Sequence, residues 1–223
     1  NLDSTIKIQA VWFSYLDYAD LFRNKQEESF KNSVSAMFDN LESLEINRLY
    51  LHVSMFTDAI WPSEYYAFSS YCAGKIGKNP GYDPLAIIVE EANTRSIDVE
   101  AWINPFRSYK KEEIKSLPSN NIIRKWVNDS KLKEKNLFLV DGRYYLNPGS
   151  EDVQKLIENV VMEMETNYEI DGNHIADYFY PSGLKESADK VTYEEYLVKN
   201  PDTELSDYRR AMCDAVVSRL SAV

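Results

Sequence analysis

Two kinds of pattern alternate along this chain. Short apolar or alternating runs of strand type are followed by stretches with apolar residues at helical spacing. Ile6 to Leu16 reads as a first strand. Ser29 to Glu45 reads as an amphipathic helix, with Val34, Met37, Phe38, Leu41 and Leu44 on one face. Arg48 to Met55 is the second strand, and Thr57 to Tyr82 is a long loop rich in Tyr, Ser, Gly and Pro. Loops of that length are usually functional. Asp83-Pro84 opens a helix as N-cap and first-turn proline, running to about Arg95. Asp98 to Phe106 is the third strand.

Residues 107–149 form an excursion of short helical pieces and a hairpin, FLVDGRYYL, with Asp141-Gly142 as its turn. Glu151 to Tyr168 is the next helix and Gly172 to Phe179 the fourth strand. A loop and a last helix, about Leu205 to Leu220, follow. Strands alternating with helices imply an α/β fold with a parallel sheet. The chemistry of a (β/α) barrel sits at the C-terminal ends of its strands.

Composition narrows the function classes. The 223 residues are 44% hydrophobic, enough for a core. No run of 18 apolar residues is present, so no membrane-spanning helix is expected. The net charge is −11, a poor match for nucleic acid, whose phosphates need clustered Lys and Arg. Cys72 and Cys213 make neither a metal set nor a disulfide framework, and His52 and His174 lack metal-ligand spacing. No metal and no cofactor are expected. The chain starts at Asn1 rather than Met, which would suit removal of a secretory leader.

The most informative run is DGNHIADYFYP, Asp171 to Pro181. Alternation puts His174, Ala176 and Tyr178 on one face and Ile175, Asp177 and Phe179 on the other. IQAVWFSYL (8–16), DAIWPS (58–63), PGYDPL (80–85), AWINPFR (101–107), LNPGSEDV (146–153) and DYRR (207–210) complete an ordered set of blocks. Together they resemble the bacterial glycosyl hydrolase-like family 10, across nearly the whole chain. The resemblance implies a parallel TIM-type (β/α) barrel and an oligo- or polysaccharide partner. It implies a bacterial cell-wall glycan as substrate class and a place outside the cell or in its envelope. About four of the eight βα units are present in residues 1–223, so the expectation is a barrel domain incomplete at its C-terminus. The missing half would come from elsewhere in a longer protein or from self-association.

The chain departs from the family pattern at charged positions. Ala176 stands where the first of two acids is usual, a position that also resembles the strand-four nucleophile of amylase-type enzymes. Gln9 and Ser54 replace arginines, and Asn93 and Glu100 replace histidines. A retaining glycosidase needs a carboxylate to attack the anomeric carbon and a second carboxyl as acid/base. A degenerate enzyme, a shifted substrate or an introduced alanine would each give this pattern. A binding protein without turnover, or a structural domain of a surface protein, are the rival readings.

Asp177 and Glu100 are the candidate catalytic acids. Glu100 lies deeper and needs a cationic partner if buried. Candidate substrate-binding residues are Asp58, Trp61, Trp102, Asn104, Arg107, His174, Tyr178 and Tyr180. Asn104 and Arg107 close the third strand, where they either bind sugar hydroxyls or fix the loop. Asp58 either meets substrate or makes an Asx turn. Trp61, Tyr65 and Tyr82 either stack on sugars or pack the long loop.

Overall fold

The computed structural model describes residues 7–177 and 179–223. Its first half contains β1 (Ala10–Phe13), α1 (Tyr15–Leu21), α2 (Glu27–Ser43), β2 (Arg48–Ser54), β3 (Asp58–Ala59), β4 (Ala67–Phe68), α3 (Ser70–Ala73) and α4 (Pro84–Thr94). There follow β5 (Asp98–Ile103), β6 (Arg107–Lys110), α5 (Ile122–Asn128), α6 (Ser130–Asn136), β7 (Leu137–Val140) and β8 (Arg143–Leu146). The remainder is α7 (Glu151–Asn167), β9 (Gly172–Ile175), α8 (Lys190–Leu197) and α9 (Leu205–Leu220).

The main sheet has the order β1-β2-β5-β9, and every pairing in it is parallel. Neighbours in sequence are neighbours in space, the arrangement of successive βα units in a barrel. Alternation gives the sheet two unlike faces. Leu49, Leu51, Val53, Val99, Ala101 and Ile103 point to the helix side and are buried. Against them pack Phe30, Val34, Met37, Phe38 and Leu41 of α2, Leu85 and Ile88 of α4, and Val153, Ile157, Val160 and Met164 of α7. The other face carries Trp12, Tyr50, Glu100, Trp102 and His174.

Helix starts follow local chemistry. The Asp83 carboxylate accepts from Ala86 N at 3.1 Å, ahead of Pro84 in the first turn. Ser150 Oγ caps α7 through Val153 N. The β7–β8 hairpin turns at Asp141 and Gly142, both at positive φ, as a two-residue hairpin turn of the primed type requires.

Four sequence expectations need correction. The first strand ends at Phe13 rather than Leu16, because Ser14 and Asp17 form a capping box that starts α1 at Tyr15. The long loop holds β3, β4 and α3, with β3 and β4 paired in parallel. The segment before α9 is helical in part, with a 3-10 turn at Glu186–Asp189 and then α8. The fourth strand stops at Ile175, and Asp177 adopts φ 67°, a left-handed conformation uncommon outside glycine.

Residues 107–149 form an insert at the C-terminal end of β5. Its antiparallel sheet, order β6-β8-β7, is fastened to the loop after β2. Thr57 Oγ1 lies 2.7 Å from Ser108 Oγ, and the Tyr109 hydroxyl donates to Thr57 O at 3.1 Å.

Candidate functional site

The site is built on the concave face of the sheet and the loops above it. Trp12 stacks on Tyr50 with centroids 4.6 Å apart, and both meet His174 edge-on, at 4.6 and 5.1 Å. Trp102 meets Trp12 edge-on at 4.9 Å and stacks on His52 at 3.7 Å. With four strands of the sheet present in this chain, Trp12 is 49% exposed. One layer toward the N-terminal end, Arg48 bridges Glu100 at 2.8 Å and Asp98 at 2.9 Å. Glu100 therefore has the cationic partner its burial calls for.

Above the aromatic layer lie the strand ends. Trp102 Nε1 donates to Asn104 Oδ1 at 3.0 Å, and Asn104 N donates to Ser54 O at 3.0 Å. Asn104 is buried, with its amide oxygen engaged by the tryptophan. The β2–β5 register shifts between His52 and Ser54, which re-aims the end of β2. His52 is buried, and among the described residues neither ring nitrogen meets the geometric criteria for a hydrogen bond; the same holds for Ser54 Oγ. Burial, helped by the nearby Arg107 charge, pushes His52 down to about 3, so its ring is neutral near pH 7. Tyr15 at the start of α1 meets His52 at 5.7 Å and Phe56 at 5.3 Å, and two guanidiniums, Arg107 and Arg143, lie over the Phe56 ring.

On the fourth strand, Asp171 accepts from Val99 N at 2.7 Å and sets the entry of β9. His174 reaches the aromatic layer as alternation requires. Ala176 N still donates to Ile103 O at 3.1 Å, after which the backbone turns at Asp177. Asp177 is exposed, and the alternation that assigned it to the helix side no longer applies beyond Ile175. Tyr178 lies outside the described residues.

Asp58 and Trp61, for which loop building stood beside substrate contact, both make loop hydrogen bonds. Asp58 is 3% exposed, and its carboxylate accepts from Met55 N at 2.9 Å and Phe56 N at 2.8 Å. Burial raises its pKa against the opposing pull of hydrogen bonds from Ser69 and these amides. Trp61 is 1% exposed, and its Nε1 donates to Glu163 at 2.8 Å. The same carboxylate accepts from Ser63 Oγ and Glu64 N, which ties the DAIWPS loop to α7. Tyr82 packs on Phe30 and donates to Lys25 O. Tyr180 faces Phe138 and Arg209 rather than the aromatic layer. Sequence reasoning passed over Trp12, Tyr50, His52 and Arg143 as site residues. The alternation of β1 and β2 carries a signal for the first three; Arg143 had none beyond its place in a hairpin.

Among the described residues, no group of three or more His, Cys, Asp or Glu side chains is placed to hold a metal ion. No helix there is long and apolar enough to cross a membrane.

Four consecutive parallel βα units with polar and aromatic groups at their C-terminal ends are the arrangement of a TIM-type barrel sheet. The chain belongs to the glycosyl hydrolase-like 10 family, whose model matches residues 7–223. "Glycosyl hydrolase YngK" of Bacillus subtilis (strain 168) is 28% identical over 99% of this chain and 43% of its own length. "Glycosyl hydrolase DigH" of Escherichia coli (strain K12) is 32% identical over 82% of this chain and 42% of its own length. The chain thus spans less than half the length of these curated relatives. Among solved structures, alpha-L-fucosidase isoenzyme 2 from Paenibacillus thiaminolyticus superposes with a TM-score of 0.62 over 96% of this chain and 30% of its own, at 12% identity. An Anoxybacillus alpha-amylase gives 0.51 over 87% of this chain and 45% of its own, at 13% identity. These likenesses show the fold.

Proposed function

We propose that the strand ends of this glycoside hydrolase-like domain form part of a cleft for a bacterial cell-wall or related polysaccharide, in a protein that works outside the cell or in its envelope. The observation that carries this reading is convergence. Trp102 and Asn104 from β5, Arg107 just beyond it, and His174 from β9 meet at one end of a parallel sheet. Aromatic rings beside hydrogen-bonding groups suit a sugar, which offers C–H faces to rings and hydroxyls to polar atoms.

Turnover sets a stricter condition than binding. Hydrolysis requires two carboxyls flanking the scissile bond, about 5–5.5 Å apart for retention and about 6.5–9.5 Å for inversion. Ala176 supplies none. Glu100 is held by Arg48 and Asp58 by backbone amides. Asp177 is the acid exposed at the end of the fourth strand. Binding with little or no turnover is therefore the reading that Ala176 favours.

The test uses the full-length protein with cell-wall glycan fragments, measuring affinity by calorimetry and cleavage by chromatography. Saturable binding without cleavage is expected, with cleavage appearing in Ala176→Asp. Substantial cleavage with Ala176 in place, abolished by Asp177→Asn, would make Asp177 the working acid. Absence of saturable binding would overturn the glycan reading.

A further inference from the structure

We propose that a trough along the outer side of α7 is a second saccharide-binding site, separate from the strand ends. The proposal takes its kind of ligand from the glycan reading above and none of its residues.

Two adjoining cavities make the trough. One, of about 430 Å³, lies among Tyr65, Ile122, Trp126, Leu132 and Asn159. The other, of about 300 Å³, lies among Pro62, Tyr65, Asn159 and Met162. Glu64, Tyr65 and Asn159 line both. Lys155, Asn159, Met162 and Thr166 recur at helical spacing on one side of α7. The trough follows the helix from Lys155 to Thr166, roughly 16 Å, which suits an extended chain better than a small solute. Neither cavity is lined by Trp12, Tyr50, Glu100, Trp102 or His174 of the concave face.

The lining has both kinds of group that a sugar meets. Trp126 and Leu156 are buried and form the floor, and Tyr65 is half-buried. Leu132 and Met162 keep much of their apolar surface exposed at the rim. Rings and apolar surface accept the C–H faces of a pyranose. Among the described residues, the Tyr65 hydroxyl and the side-chain amides of Asn120 and Asn159 make no hydrogen bond. Each amide offers donors and an acceptor, the complement of sugar hydroxyls. Glu64 and Asp152 stand against one cation, Lys155, so the charge balance favours a neutral chain over an anionic one. Every lining residue lies in a helix or a loop, so no strand edge is offered to a peptide.

The walls are fixed without a ligand. Glu163 of α7 accepts from Trp61 Nε1 at 2.8 Å, and from Ser63 Oγ and Glu64 N at 2.6 Å. Ser63 Oγ in turn accepts from Tyr65 N at 3.1 Å, which sets Tyr65 beside α7. On the far side, Asn121 caps α5 through Ile123 N, and Asp129 caps α6 through Lys131 N and Leu132 N. These caps place Trp126 and Leu132. Walls already in position lose little freedom when a ligand arrives.

The test is hydroxyl-radical footprinting of the full-length protein, titrated with chitohexaose, a neutral saccharide. Oxidation of Tyr65 and Met162 reports the trough, and oxidation of Trp102 and His174 reports the strand ends. Saturable loss of oxidation at Tyr65 and Met162 is expected. In Asn159→Ala, a change that suits a helix, half-protection of Met162 should need roughly fivefold more saccharide, the scale of one hydrogen bond. In Tyr65→Ala the shift at Met162 should be roughly tenfold, the scale of a ring contact. Trp102 and His174 should titrate as before in both variants. Protection at Trp102 and His174 alone would overturn the trough and leave the strand-end cleft intact. Protection at Tyr65 and Met162 alone would support the trough and remove the cleft. Protection at neither would overturn both. An unshifted titration at Met162 in both variants would overturn the trough. So would protection that appears without saccharide as the protein is concentrated, which would assign the surface to a second copy.

Discussion

The two faces of the main sheet are made by alternate residues of the same strands, yet they differ in almost every respect. On the helix face, Leu49, Leu51, Val53, Val99, Ala101 and Ile103 are all buried in one apolar cluster with α2, α4 and α7. On the concave face, Arg48, Tyr50, Glu100, Trp102 and His174 are half-buried and polar or aromatic. The first face gains its stability from area and close packing. The second uses specific pairings, such as Arg48 with Glu100 and Trp12 with Tyr50. Apolar packing and polar or aromatic pairing are thus divided between odd and even positions. Substitutions on the two faces should have correspondingly different consequences.

The largest effect belongs to the helix face. Leu51→Ala leaves a cavity beneath helices that cannot fully collapse, and should cost about 2–5 kcal/mol of unfolding free energy in denaturant titrations. A loss below about 1 kcal/mol would mean that this face is not the principal core. The next effect tests His52, a concave-face residue that is nonetheless buried. Its folded pKa, about 3, lies below the ordinary 6.5, so the unfolded chain binds the extra proton between those values. Stability should therefore fall as pH drops through that window, by up to about 1.4 kcal/mol per unit. In His52→Gln the fall should be shallower, and unchanged slopes would show that His52 is not the group responsible.

A smaller effect is expected on the ion pair. Glu100→Gln should cost roughly 1 kcal/mol, because Arg48 keeps Asp98 as a partner and both groups retain some solvent. The smallest concerns the open aromatic layer. Trp12→Ala should cost about 0.5–1.5 kcal/mol for its ring contacts, since half of the side chain is exposed already. Its larger consequence should be for sugar affinity. A stability loss matching that of Leu51→Ala would erase the distinction between the faces.

Much of the frame was readable along the chain. The spacing of Val34, Met37, Phe38 and Leu41 marks α2, and Asp83-Pro84 marks the start of α4. Asp141-Gly142 marks the β7–β8 turn, and the ordered motif blocks mark the family. These signals are local: a helix face, a cap and a tight turn each depend on residues a few positions apart. Signals of that range also misled. Leu16 continues an apolar run, but Ser14 and Asp17 close a capping box that ends the strand.

Partners distant in sequence could be settled only by folding. Trp61 has the composition of a binding residue, yet Glu163, about a hundred positions away, claims its ring nitrogen. Asp177 follows an alternating run, but the backbone turns there. Arg143 reads as one basic residue in a hairpin until β8 pairs with β6 and Phe56 arrives from the loop after β2. Periodicity along the chain determines which face of an element is apolar. Which side chains then meet depends on how those elements dock, and that is a property of the tertiary structure alone.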